Sequence, residues 1–350
     1  MSRFLHPKFN TLAPYTPGEQ PQNRAYIKLN TNECPYPPSP KAVRQAAAEA
    51  KQLNLYSDPT CASLKAAMAK YLGVQQSQVF LGNGSDEILA FCFMAFCQAG
   101  AAFADITYGF YPVYASLCGI TPHIVPLRQN FTLAPEDYRQ VGSTIFIANP
   151  NAPTGLALSL AELEKILQWN PENLVVVDEA YVDFGAQTAL PLLQSYNNLL
   201  VVGTFSKSRA MAGARLGYAV GSPELIEDLG RIQYSFNPYN VNRMTQAAGV
   251  AALQDNAYFE ECRAKIIATR AKTVDALEKM GFEGPQSLAN FVFVRHQQAS
   301  AQQLYHGLKE QGILVRWFNK PRIDEYLRIT IGTGQEMDTL FEVLRQLLPG

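Results

Sequence analysis

Short apolar runs alternate with helical stretches through the first two thirds of the chain. The runs are QVFLG (78–82), AAFAD (101–105), HIVPL (123–127), STIFIANP (143–150), LVVVDEAY (174–181), NLLVVGTF (198–205) and LGYAVG (216–221). Turn residues bound each of them. This alternation predicts an α/β domain with a mainly parallel sheet covered on both faces. Upstream, KAVRQAAAEAKQ from Lys41 and CASLKAAMAKYLG, ending at Gly73, read as helices. Around SFNPYNVN (235–242) the pattern changes. One long helical region is expected from about Met244 to Lys279. After it come NFVFVRH (290–296), a helix, GILVRWF (312–318), EYLRITIG (325–332) and a terminal helix, the pattern of a smaller α+β domain. The first forty residues are rich in Pro, Asn and Tyr and read as extended, irregular chain. They are too apolar and aromatic for a disordered tail, so they should pack on something. The expected division is a large α/β domain over 42–243, with 1–41 and 244–350 forming the smaller one.

Composition narrows the partners. Of 350 residues, 47% are apolar and 17% charged, enough to fill a large core. With 29 basic and 30 acidic residues the net charge is −1, which argues against a nucleic acid or an anionic membrane held by bulk electrostatics. Six cysteines (34, 61, 92, 97, 118, 262) form no CxxC pair and read as reduced thiols of a cytoplasmic protein. Four scattered histidines (6, 123, 296, 306) suggest no metal site. MSRFLHPKFN lacks the apolar core of a signal peptide, and no apolar stretch is long enough for a membrane span.

In open α/β sheets, ligands sit at the carboxyl ends of strands. Four strands here end in unusual polar groups. FLGNGSDE runs from a strand through Gly82 and Gly84 into a helix, where Ser85 is a candidate cap and the free N–H groups suit an anion. An ordinary capped turn reads the same way. VVVDEAY places Asp178 at the end of a buried strand, where a carboxylate needs a cation or strong donors, with Tyr181 three residues on. A structural helix cap is the plainer reading of Asp178. NPNAPTG (149–155) by itself is a turn. TFSKSRAMAGARLG is the most specific of the four. Lys207 follows an apolar strand, and a partly dehydrated lysine is an amine nucleophile or base. Thr204, Ser206 and Arg215 could hold one phosphate. Taken together, an aspartate for a pyridinium nitrogen, a lysine for a carbonyl carbon, a phosphate cradle and a tyrosine for a phenolic oxygen match pyridoxal 5′-phosphate.

The order GxGSDE, NPNxPTG, DEAY, SKS…AGxRxG resembles the fold-type I aminotransferases, and the resemblance spans essentially the whole chain. LNTNECPYPPSP, YSDP and LRITIGT resemble the histidinol-phosphate aminotransferase branch. The resemblance implies roles. Lys207 binds the cofactor and later shuttles the substrate proton. Asp178 keeps the ring nitrogen protonated, and Tyr181 meets the ring hydroxyl. The backbone amides of Ser85 and Asp86, with Thr204, Ser206 and Arg215, hold the phosphate. Tyr108 stacks on the ring, and Tyr56 reaches across a homodimer to the other subunit's phosphate. Arg328 clamps a carboxylate, Arg316 grips the substrate's own phosphate, and Tyr15 belongs to a mobile segment covering the site.

One departure stands out. Family members commonly have Asn before Pro-Thr-Gly, and here that position is Ala152, with Asn151 as the candidate substitute. The resemblance implies amino transfer between histidinol phosphate and 2-oxoglutarate in two half-reactions. The neighbouring alternatives are an aromatic or broad-specificity aminotransferase and a threonine-phosphate decarboxylase. A non-catalytic cofactor-binding domain of a regulator is the alternative of another class, and an intact Lys207 argues against it.

Overall fold

The computed structural model describes residues 2–348. The first strand is β1 (Ile27–Lys28). Seven follow in the α/β region: β2 (Val79–Gly82), β3 (Ala101–Ala104), β4 (His123–Val125), β5 (Thr144–Ala148), β6 (Val175–Asp178), β7 (Leu199–Thr204) and β8 (Gly217–Val220). The last five are β9 (Phe282–Glu283), β10 (Phe291–His296), β11 (Ile313–Leu314), β12 (Arg316–Trp317) and β13 (Leu327–Thr330).

The larger sheet has the order β2-β8-β7-β6-β5-β3-β4. From β4 to β7 all neighbours are parallel, and β8 runs antiparallel between β7 and β2. Every residue of β2, β3, β6 and β7 is buried, as strands with helices on both faces require. The reversal of β8 brings its first residue, Gly217, level with the last residues of β2 and β7, Gly82 and Thr204. The carboxyl ends of β2, β5, β6 and β7 therefore meet the start of β8 along one edge.

The smaller sheet has the order β12-β13-β10-β9, with β1 and β11 paired in parallel beside it. The expected run 312–318 divides at Val315, half of it pairing with β1 and half with β13. This is how the irregular N-terminal segment is packed: after β1, the carbonyl of Leu29 accepts from Thr330 N–H at 2.9 Å. The expected long helix is two helices, Arg243–Leu253 and Asn256–Lys279. Asp255 at the break accepts from the Ser39 hydroxyl at 2.7 Å and pairs with Lys41 at 3.1 Å. Ser39 in turn caps the helix Pro40–Glu49. Arg243–Leu253 packs its Ala248, Ala251 and Ala252 against Ala42, Leu64 and Met68, so this helix sits with the larger sheet.

Candidate active site

The loop after β7 explains how a lysine comes to face a cavity. Its neighbours are anchored on every side. Phe205 is fully buried. The Ser208 hydroxyl donates to Asp183. The Arg209 guanidinium lies 4.1 Å from the Phe259 ring centre and 4.6 Å from that of Tyr71, and donates to the Ala252 carbonyl at 2.9 Å. Lys207 is left pointing into a cavity of about 410 Å³, which Asp178, Tyr181, Thr204, Ser206 and Arg215 also line. Its ammonium donates to the Thr31 carbonyl at 3.3 Å and lies 5.8 Å from the Tyr181 ring centre.

Asp178 closes β6 and is 5% exposed. Its Oδ2 accepts from the Tyr111 hydroxyl at 3.0 Å and its Oδ1 from Ala180 N–H at 3.2 Å. Both donors are neutral. Burial pushes the carboxyl from 3.8 up to about 6, against the pull of those two bonds. The aspartate is thus a buried acid without a full counter-charge, suited to a cationic group in the cavity.

At the other end of the cavity lies the start of the helix Gly84–Phe96. Ser85 is not its cap, as the sequence suggested. The helix begins at Gly84, and Glu87 reaches back to accept from Asn83 N–H at 2.7 Å. Ser85 stands in the first turn, where its N–H is free of helix bonding. Two glycines make this geometry. A Cβ at Gly84 (φ +79°) would lie 2.6 Å from Arg215 Nη2, and one at Gly217 would lie 2.4 Å from the Ser85 nitrogen. The Thr204 and Ser206 hydroxyls are 2.9 Å apart, and Ser206 N–H donates to Thr204 Oγ1 at 3.1 Å. Arg215 pairs with Asp86 at 2.7 Å, and the Tyr108 hydroxyl donates to the same carboxylate at 2.6 Å. Asp86 therefore holds Tyr108 and Arg215 together with its side chain, a function the sequence did not suggest.

A wider groove continues from this cavity toward the smaller sheet, sharing Tyr108, Tyr181 and Lys207 as wall. Arg316 and Arg328 are register partners across β12 and β13, so two guanidiniums project from the same face. Arg328 Nη2 donates to the Asn30 carbonyl at 2.9 Å, its Nε is buried without a partner among the described residues, and burial lowers its pKa. Arg316 donates to the carbonyls of Thr16 and Pro17 at 3.1 and 3.2 Å. Tyr15 stacks on Phe110 at 4.1 Å between ring centres, over the groove, and its hydroxyl feels both arginines.

Two expected residues lie elsewhere. Asn151 does not supply the missing amide. Its Oδ1 accepts from the Thr107 hydroxyl at 2.8 Å and its Nδ2 donates to the Ile106 carbonyl at 2.9 Å, while Ala152 faces the cavity. Adjacent side chains of the loop point apart, and the inward position belongs to Ala152. Tyr56 is 81% exposed, is stacked on Tyr239 at 4.6 Å and does not line the cavity of its own chain. The structure also adds two residues. Arg322 pairs with Asp105 at 2.6 Å and donates to the Leu127 and Arg128 carbonyls, tying the loop before β13 to the larger sheet. Asn32, 1% exposed, donates from Nδ2 to the Tyr181 hydroxyl at 2.9 Å. Among the described residues no cluster of three or more His, Cys, Asp or Glu could hold a metal ion, and no helix is long and apolar enough to cross a membrane.

Comparison with known proteins adds a family. The model of aminotransferase class I and II matches residues 24–344. The chain is 54% identical over 353 residues to the histidinol-phosphate aminotransferase of Marinomonas sp., covering 99% of this chain and 100% of that one. It is 50% identical over 350 residues to histidinol-phosphate aminotransferase 1 of Bradyrhizobium diazoefficiens, again covering 99% and 100%. Among solved structures, the histidinol-phosphate aminotransferase from Sinorhizobium meliloti in complex with pyridoxal-5′-phosphate superposes with a TM-score of 0.88 at 26% identity, over 99% of each chain.

Proposed function

We infer the reaction from one premise: the chain belongs to the aminotransferase class I and II family. The activity is transfer of an amino group between L-histidinol phosphate and 2-oxoglutarate, giving imidazole acetol phosphate and glutamate, a step of histidine biosynthesis. The observation that carries the substrate reading is the arginine pair. Two guanidiniums on one face, one with a buried Nε that has no partner among the described residues, call for an anion. Each substrate brings one on its side arm, a phosphate or a carboxylate, and the planar fork of arginine accepts either.

The cavity fits pyridoxal 5′-phosphate. The fit rests on Asp178, whose raised pKa marks a carboxylate that a cationic ring nitrogen would compensate. Tyr181 would meet the ring oxygen, and Tyr108 would cover the ring. The helix start at Ser85 and Asp86, with Thr204, Ser206 and Arg215, would hold the phosphate. Bound there, the cofactor supplies an electrophilic carbon and an electron-accepting ring. The chain does the rest. Lys207 Nζ would take the proton from the substrate carbon that bears nitrogen and deliver it to the cofactor's electrophilic carbon, and would carry it the other way in the second half-reaction. Arg328 and Arg316 orient the side arm. Tyr15 and the segment pinned by Arg316 exclude water from the groove.

The same reading divides the chain into a large domain over 42–243 and a small one from 1–41 and 244–350, with Arg243–Leu253 packed onto the large body. Met1, Pro349 and Gly350 of that division lie outside the described residues. It also makes the protein a symmetric homodimer in which Tyr56 serves the other subunit's site. The support is a set of exposed apolar side chains, Leu53, Leu55, Tyr56 and Phe236, with Tyr56 stacked on the exposed Tyr239. A cytoplasmic location suits the six free cysteines. The testing assay is glutamate formation from L-histidinol phosphate and 2-oxoglutarate. Carbon dioxide release from threonine phosphate at a higher kcat/KM would replace this reading with a decarboxylase.

A further inference from the structure

We infer that Asn32 is a positioning residue that replaces, at one remove, the amide missing at position 152: it holds Tyr181 so that the tyrosine's own proton points at the cofactor's ring oxygen. The inference rests on the reading that Tyr181 meets that oxygen.

The hydrogen bonds around Asn32 form a chain of donors and acceptors. Asn32 backbone N–H donates to Thr330 Oγ1 at 3.0 Å. The Thr330 hydroxyl then donates its own proton to Asn32 Oδ1 at 2.9 Å. In this arrangement Oδ1 faces Thr330, and the end facing Tyr181 at 2.9 Å is Nδ2, which only donates. Tyr181 must accept. Its O–H proton has no other partner among the described residues, and Tyr181 lines the cavity beside Lys207. The proton is left for a group in the cavity. A phenol that already accepts one hydrogen bond donates the next one better. With Ala152 unable to donate and Asn151 turned away, this relay is how one tyrosine can serve where an amide and a tyrosine are common.

Asn32 is also held in place. It is 1% exposed, its carbonyl accepts from Asn290 Nδ2 at 3.0 Å, and its backbone is left-handed at φ +55°, a conformation Asn tolerates better than most residues. The side chain is thus delivered to Tyr181 by three contacts from β13 and the loop before β10.

The test is a pH titration of the visible absorbance of the holoenzyme's bound cofactor. A donor to the ring oxygen draws charge from it and disfavours the protonated form of the cofactor, so losing the donor raises the spectral midpoint. Asn32→Gly keeps the left-handed backbone and removes the amide. It should raise the midpoint by roughly half a pH unit or more, the scale of a neutral hydrogen bond. Asn32→Asp, which accepts the tyrosine's proton and turns it away, should raise it too and serves if the glycine variant does not fold. Tyr181→Phe should raise it at least as much. Asn32→Gly combined with Tyr181→Phe should go no further than Tyr181→Phe alone, because Asn32 acts through the tyrosine. Ala152→Asn on the Asn32→Gly background should lower the midpoint again. If Tyr181→Phe raises the midpoint and neither Asn32 variant does, the inference fails while the reading of Tyr181 stands. If Tyr181→Phe leaves it unmoved, that reading fails. Additive shifts would make Asn32 an independent group and overturn the relay.

Discussion

Asp178→Asn separates what the carboxylate costs the bare protein from what it does for the cofactor. The folded carboxyl sits at about 6 against an ordinary 3.8, a shift of about two units caused first by burial. At 1.36 kcal/mol per unit, the ionised form costs about 3 kcal/mol in protein stripped of cofactor. The sign follows from the raised value. The contribution to stability is fully present below about pH 4 and is lost as pH rises through about 6. The amide carries no such cost, and it keeps both contacts: its oxygen accepts from Ala180 N–H and its nitrogen donates to the Tyr111 oxygen. Cofactor-free Asp178→Asn should therefore be more stable than cofactor-free wild type by up to about 3 kcal/mol at pH 8, with the difference vanishing near pH 4. In the holoenzyme the effect reverses. A neutral amide does not hold a protonated ring nitrogen, and turnover should fall by on the order of 3 kcal/mol, about a hundredfold or more. Urea unfolding of the stripped proteins at pH 4 and 8, beside turnover of the loaded ones, reads both. A variant no more stable at pH 8, or a loss of turnover under tenfold, refutes the reasoning.

Other consequences are measurable. Burial raises Glu179 to about 8 although Ala189 N–H and the Thr188 hydroxyl donate to it, so its stabilising contribution is lost as pH rises through 8; Glu179→Gln should melt higher than wild type at pH 9 and no higher at pH 5. Lys207→Ala should abolish amino transfer while leaving the unfolding midpoint near wild type, since among the described residues the ammonium's one bond is to the Thr31 carbonyl; turnover near wild type would end the account of Lys207. Arg328→Lys should cut kcat/KM for 2-oxoglutarate about 30-fold, because an ammonium does not present two parallel N–H groups; a change under threefold would remove Arg328 from the clamp. Mixing inactive Tyr56→Ala and Lys207→Ala proteins should restore activity toward about a quarter of wild type, since half of randomly exchanged dimers are mixed and each has one intact site; no recovery after demonstrated exchange would place Tyr56 outside a shared site.

Much of the site was legible because its parts stand where the sequence changes character. Asp178 ends a strand that begins with three valines, and Lys207 comes soon after the apolar run Leu199–Val202, so a charged residue at either place is visible by contrast. The reversal of β8 was not legible, because LGYAVG reads alike in either direction. Ser85 was misjudged because GNGSDE offers two polar residues for one helix start, and the choice between them depends on the left-handed turn at Gly84. Asn151 was misjudged because a one-residue step in a turn decides which side chain faces inward. Asn32, Arg322 and the second role of Asp86 left no local trace. Each acts on a residue far along the chain: Asn32 on Tyr181, Arg322 on Asp105, and Asp86 on Arg215. No spacing rule connects such pairs.

The central claim is that this pocket takes L-histidinol phosphate for amino transfer, rather than an aromatic amino acid for amino transfer or threonine phosphate for decarboxylation. Rapid mixing of the holoenzyme with L-histidinol phosphate, phenylalanine or threonine phosphate, following the loss of the cofactor's visible band, compares the three amines in a single half-reaction. The phosphate contact at Arg316 predicts a higher second-order rate for histidinol phosphate than for phenylalanine, with the gap narrowing in Arg316→Ala, and no carbon dioxide from threonine phosphate. An equal or faster reaction with phenylalanine, or band loss with threonine phosphate accompanied by carbon dioxide, would contradict it.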